Sequence, residues 1–265
     1  MMTTFLMCPP DYYGIEYEIN PWMDIRRQAD SCLAIKQWEK LYDLLKNQLS
    51  VDVERVRPVK GLPDMVFTAN AGLVFEKQFI LASFRHPQRR GESPHFRRWF
   101  EEKGYQIHVL PPAHCFEGAG DGLFLGESLF AGYRIRSDIR VHGILSEVLE
   151  KRVLSLELVD ERFYHLDTCF CPLDRERALY YPMAFDEYGR KVIERFVPKP
   201  LPVSDADAQR FGCNAVVIQR HVVLHEGCEE LKALLQGEGF EVHELDLSEF
   251  LKAGGSAKCL TLRIE

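Results

Sequence analysis

Four polar stretches in this chain hold the residue types that could do chemistry at an electrophilic carbon. Gly254-Gly255-Ser256-Ala257-Lys258-Cys259 places a cysteine between a glycine pair and an alternating Leu260-Thr261-Leu262-Arg263-Ile264 run that reads as a strand. A thiolate is the reactive form of cysteine, and its pKa falls near positive charge, so Lys258 or a nearby histidine would activate Cys259. The alternative is a buried and inert thiol, the commonest fate of a single cysteine. In Tyr164-His165-Leu166-Asp167-Thr168, His165 and Asp167 are two apart and share one face of an extended segment. They would act as a base and a cation binder, unless the pair lies on a solvent-facing strand edge.

Phe116-Glu117-Gly118-Ala119-Gly120-Asp121 flanks its Glu117 with glycines that let a ligand approach closely, or else forms a turn capped by its own acids. Leu62-Pro63-Asp64-Met65-Val66-Phe67-Thr68-Ala69-Asn70 is the fourth stretch. Together, Cys259, His165 and Glu117 would supply a nucleophile, a proton carrier and a carboxylate. Asp64, Asp167 and Asn70 would ring a planar cation with acceptors, which suits a guanidinium.

Composition narrows the setting. The 265 residues are 46% hydrophobic and 28% charged, ample for a sizeable core and ordinary for a soluble globular protein. Forty acids against 33 bases give a net charge of −7, which argues against a nucleic-acid partner. No apolar run is long enough to span a membrane, and Met1-Met2-Thr3-Thr4-Phe5 lacks the form of a signal peptide, so a cytoplasmic location is expected. Eight scattered cysteines contain no C-x-x-C pair. Cys169-Phe170-Cys171 aims two sulfurs to one face of a strand without a matching pair nearby, so no metal is expected and the thiols are read as free.

The elements that must position these stretches repeat in kind. Periodicity predicts helices over residues 30–49, 94–103, 137–149, 188–196 and 228–236, with a short one over 206–211. Strands are expected at 4–8, 51–59, 71–75, 79–83, 106–110, 122–125, 128–131, 155–159, 168–172, 177–181, 214–219, 221–224 and 241–244. Residues 85–91 read as a basic loop and 198–203 as a proline-stiffened linker. A strand pair, a helix and a further strand recur roughly every fifty residues, about five times, without close sequence repetition. The fold class is therefore α/β, a single domain over 1–265 built of β-β-α-β units around a central cleft.

In sequence order, Leu-Pro-Asp-x-x-Phe-x-x-Asn, Phe-Glu-Gly-x-Gly-Asp, His-Leu-Asp and Gly-Gly-Ser-Ala-Lys-Cys-Leu-Thr-Leu-Arg resemble the guanidine-modifying amidinohydrolase and amidinotransferase (pentein) superfamily over the whole chain. The resemblance implies a five-bladed α/β propeller. It implies Cys259 as nucleophile, His165 as acid and base, and Glu117 as the carboxylate that orients His165. It also implies Asp64 and Asp167 on the guanidinium or main-chain nitrogens of a small guanidino substrate. Arg85 and Arg136 resemble the family's binders of an amino-acid carboxylate, and Asn20 falls where the family has a substrate-covering loop. Neither a metal nor an organic cofactor is implied, and a homo-oligomer is compatible with the sequence.

Two positions separate activities within that superfamily. The family's dimethylarginine hydrolases usually have a non-acidic residue at the place of Asp167, whereas deiminases, amidinotransferases and dihydrolases carry His-x-Asp. Asn70 stands where deiminases and dimethylarginine hydrolases generally carry aspartate. An amide both donates and accepts, so Asn70 could pair with N–H before a first hydrolysis and with C=O after it. That favours an arginine dihydrolase, giving ornithine, CO2 and two ammonia. An arginine deiminase, a dimethylarginine dimethylaminohydrolase and a non-catalytic propeller platform, as in initiation factor six, stay as alternatives.

Overall fold

A computed structural model describes residues 3–264. Met1 and Met2, part of the N-terminal stretch read for a signal, lie outside the described residues, as does Glu265. β1 (Thr4–Met7) lies parallel to β2 (Asp52–Arg55). The next sheets are β3 (Gly72–Phe75), β4 (Gln78–Leu81) and β5 (Gln106–His108), then β6 (Gly122–Leu125), β7 (Ser128–Tyr133) and β8 (Arg152–Glu157). They are followed by β9 (Phe170–Pro172), β10 (Arg177–Tyr180) and β11 (Lys199–Pro202), and by β12 (Val216–Ile218), β13 (His221–His225) and β14 (Glu241–Leu245). β15 (Leu262–Arg263) completes the first sheet by pairing antiparallel with β1, and the Ile264 N–H donates to the Thr4 carbonyl. Five three-stranded sheets result, each with one antiparallel and one parallel pairing. These are the blades of an α/β propeller.

Chain geometry dictates this repeat. An antiparallel pair closes with a two-residue turn, as at Glu76-Lys77, where Glu76 takes φ +53°. A parallel pair needs a crossover, and helices supply it. These are α1 (Ser31–Asp43), α2 (Ser93–Glu102), α3 (Val141–Leu149), α4 (Glu187–Phe196) and α6 (Glu229–Gly237); α5 (Asp205–Ala208) and α7 (Ser248–Leu251) are short additions. Asp30 and Asp186 cap α1 and α4 by accepting from the Leu33 and Gly189 N–H groups. Each crossover helix buries one stripe. Phe100 of α2 stacks on Phe79 of β4 with ring centroids 3.6 Å apart, and truncating it to alanine would cost about 3–5 kcal/mol.

Several expected boundaries move, each for a local reason. Residues 198–203 are not a linker: β11 pairs with β10 as an edge strand, where the missing N–H groups of Pro200 and Pro202 are tolerated. α3 begins at Val141 instead of 137, because Ser137 and Asp138 are engaged elsewhere. Ser137 Oγ bonds Asp121 and accepts from the Glu117 N–H, and Asp138 accepts from the Cys115 N–H. The basic loop contains a 3-10 turn, Pro87–Glu92. Leu166–Thr168 is also a 3-10 turn, so His165 and Asp167 do not share the face of an extended segment. None of the described helices is long and apolar enough to cross a membrane, and all eight cysteines are free thiols.

Candidate active site

Cys259 lies in the turn between α7 and β15 and is 2% exposed. One side chain fixes that turn. The Asn214 Oδ1 accepts from the Ser256 and Cys259 N–H groups at 3.0 and 3.1 Å. Its Nδ2 donates to the Asp167 carbonyl at 3.0 Å and to the Cys259 Sγ at 3.1 Å. The Asp167 carboxylate oxygens stand 3.6 and 3.8 Å from the same sulfur. Burial pushes the Cys259 thiol well above its ordinary value and Asp167 adds to this, against weaker opposition from the Ser256 N–H, Lys258 and Asn214. Burial also raises Asp167 to about 6, although Lys258 favours its charge. For Cys259, burial and Asp167 both favour the neutral thiol over the thiolate.

A second cluster orders the histidine. His165 Nε2 is 2.7 Å from Glu117 Oε2, an acceptor, which makes Nε2 the protonated nitrogen of a neutral ring. Glu117 also receives Arg136 Nη1 at 3.0 Å and the Arg85 N–H at 3.1 Å. Burial would raise the Glu117 carboxyl, but Arg136 and His165 together hold it well below the usual range. His165 is pushed down to about 4 by burial, with Glu117 opposing. Its free Nδ1 lies 3.5 Å from Asn70 Nδ2.

The glycines of the Glu117 stretch have specific reasons. Gly118 sits at φ +62°, and a Cβ there would lie 2.6 Å from the Gly72 backbone. A Cβ on Gly120 would lie 2.3 Å from Asn70 Nδ2.

Between these clusters is a void of about 10 Å³, bordered by Asp64, Asn70, Arg89, Arg136, Tyr164 and Cys259. Asp64 Oδ1 is buried without a partner, and burial raises its carboxyl against the pull of Arg89. The N-terminal loop covers the void: Asn20 Nδ2 donates to the Ala253 carbonyl at 3.0 Å, and Arg136 Nη2 donates to the Ile19 carbonyl at 2.9 Å. A larger void, about 380 Å³, is lined mostly by apolar strand residues, and of the site residues named here only Lys258 borders it.

The structure thus gathers Cys259, His165, Glu117, Asp64, Asn70, Asp167 and Arg136 in one buried cluster, with Asn20 on its cover. Arg85 is placed differently. Its guanidinium turns to the Arg136 carbonyl (3.0 Å) and Asp138 (3.4 Å), and only its N–H reaches Glu117. The guanidinium of the basic loop that borders the void belongs to Arg89, which sequence reasoning missed. Arg89 is 3% exposed, forks onto both Glu92 oxygens at 2.8 Å and donates to Asn70 Oδ1 at 2.8 Å. Because a guanidinium only donates, it fixes the orientation of that amide, leaving Nδ2 toward His165. Asn214 was also missed; a lone amide ahead of the apolar β12 is its only trace in the sequence.

A buried thiol and a carboxylate-bound histidine at the centre of five β-β-α-β blades define the guanidine-modifying superfamily. The profile described as "N,N dimethylarginine dimethylhydrolase, eukaryotic" matches residues 16–265, and the chain belongs to that family. It is 50% identical over 265 residues to the bifunctional arginine dihydrolase/ornithine cyclodeaminase AgrE of a Nostoc species, covering 98% of this chain but 37% of that protein. The chain therefore spans little more than a third of that relative. It is 42% identical to the N(G),N(G)-dimethylarginine dimethylaminohydrolase of Mycobacterium tuberculosis, covering 98% of this chain and 85% of that one. The crystal structure of the product-bound N-terminal domain of ArgZ, an arginine dihydrolase from cyanobacteria, superposes with a TM-score of 0.96 at 47% identity, covering 100% of this chain and 98% of that one. An asparagine-to-serine variant of that ArgZ domain has been crystallised covalently bound to a reaction intermediate, at 47% identity and a TM-score of 0.96, over 99% and 98% of the two chains.

Proposed function

We propose that the chain hydrolyses the guanidino group of L-arginine through a covalent Cys259 adduct, releasing two ammonia and CO2 and leaving ornithine. The observation that carries this reading is Asp167 beside the Cys259 sulfur, with the buried Asp64 carboxylate and Cys259 bordering the same small void. Two carboxylates so placed match the in-plane N–H groups of an unsubstituted guanidinium. Arg89 and Arg136 suit the carboxylate of the same amino acid.

Binding of the guanidinium cation lowers the thiol pKa. The thiol proton passes to His165 as sulfur attacks the guanidinium carbon. His165 then protonates the departing ammonia, leaving an amidino thioether. Water deprotonated by His165 adds to that carbon and the thiolate leaves, giving citrulline. With Oδ1 held by Arg89, Asn70 offers an N–H to the citrulline carbonyl oxygen, which supports a second attack on the ureido carbon. That pass expels the second ammonia, and hydrolysis leaves an N-carboxy ornithine that loses CO2. AgrE and ArgZ, described as arginine dihydrolases, support this outcome.

The test is end-point stoichiometry: ammonia, citrulline and ornithine quantified together from L-arginine. Two ammonia per arginine with ornithine is expected, and one ammonia with stable citrulline would instead make it a deiminase. The family profile and the mycobacterial relative favour a second reading, dimethylarginine hydrolysis. Methylated amine released from asymmetric dimethylarginine, without turnover of arginine, would select it. Eight free thiols suit the reducing cytoplasm, and residues 1–265 are taken as one catalytic unit.

A further inference from the structure

Away from the buried site, the last blade brings together three side chains that no part of the reaction uses. His221 opens β13, and Glu241 and His243 lie on the neighbouring parallel strand β14. The register pairs His221 with Glu241, and the two-residue alternation brings His243 to the same face. His221 Nδ1 is 3.1 Å from His243 Nε2. The Glu241 carboxylate lies 3.5 Å from the first nitrogen and 3.7 Å from the second.

We propose that His221, Glu241 and His243 form a zinc site on the surface of this blade. Zinc–nitrogen bonds of about 2.0–2.1 Å at tetrahedral angles set neighbouring donor atoms about 3.3 Å apart. The two imidazole nitrogens are 3.1 Å apart, each faces a different Glu241 oxygen, and one ligand atom from each residue lies within 4.8 Å of the other two, so a small carboxylate rotation completes the triad. Two imidazoles and one carboxylate are ligands that zinc favours. Without metal the two facing nitrogens share one proton, and zinc binding needs only that the donating ring shift that proton to its other nitrogen. All three side chains are partly open to solvent, with Glu241 64% exposed, so zinc can enter and a water can complete the tetrahedron. The bound ion would cross-link β13 to β14. β14 leads through α7 into the turn that carries Cys259, so zinc here would brace the support of that turn from outside the reaction.

The experiment is equilibrium dialysis of the chelator-stripped chain against zinc chloride, in a Cys259→Ser, Cys32→Ser, Cys115→Ser background that removes the Cys259 thiol and the two thiols open to solvent as competing ligands. One zinc per chain and a raised Tm are expected. His243→Ala and His221→Asn should each abolish both effects while leaving the zinc-free Tm unchanged, and Glu241→Gln should weaken binding tenfold or more. Cobalt in place of zinc should give a tetrahedral visible spectrum without a thiolate charge-transfer band. Absence of stoichiometric zinc, zinc retained in either histidine variant, or a thiolate band would each overturn the assignment.

Discussion

The amide nitrogen of Asn214 stands 3.1 Å from the sulfur of Cys259, while the oxygen of the same amide holds two N–H groups of the turn that carries it. One side chain therefore shapes the turn and, in the proposed reaction, would supply a donor to the developing thiolate. Asn214→Ala should lower kcat by about 10–100-fold, the value of one lost hydrogen bond to a charged group, with little change in KM. Steady-state kinetics on arginine checks this; an unchanged kcat would leave Asn214 a packing residue only.

The role proposed for Asp167, meeting a cation, needs its ionised form, yet burial raises it to about 6. In the free enzyme kcat/KM should then fall about tenfold per pH unit as pH drops below that value, and level off above it. Its folded-state pKa lies above its unfolded one, so ionisation favours the unfolded chain: the proton stabilises the fold at low pH, and that contribution is lost as pH rises through about 6. Asp167→Asn should therefore abolish turnover while raising Tm at pH 8. A lower Tm in differential scanning calorimetry would contradict the sign.

Asn70→Asp keeps an acceptor for Arg89 but loses the N–H that would meet a carbonyl oxygen. Citrulline should accumulate at about one ammonia per arginine, read by product analysis. Ornithine still forming at the original ratio would remove Asn70 from the second step.

Gly120→Ala would drive a methyl to 2.3 Å from Asn70 Nδ2, next to His165. Activity should drop by about a hundredfold or more, as expected when reacting groups are displaced by an ångström, while circular dichroism stays that of the parent. Full activity would show that the Asn70 amide gives way freely.

The blades were legible because paired apolar runs with tight turns, each followed by an amphipathic helix, leave a local pattern in sequence. The residues proposed to react were legible as candidates because glycines and acids cluster around them without an evident packing role. Arg89 and Asn214 were not, since what brings them to the site are partners outside their own segments: Asn70 and Asp64 for Arg89, besides its neighbour Glu92, and Asp167 and Cys259 for Asn214. The prolines of β11 concealed an edge strand, and the 3-10 turn after His165 concealed a change of direction between two residues aimed at different partners. Propensity sees neighbours in sequence, and these features are decided by neighbours in space.

β15, the strand that completes the first sheet, begins only three residues after Cys259 and pairs with β1. Docking that strand would therefore help to set Cys259, the proposed nucleophile, in place. A chain in which the last strand has not yet docked would hold the Cys259 turn through Asn214 alone, without the anchor that β1 gives through β15. Recovery of activity in a refolding experiment would time the joining of the first and last strands.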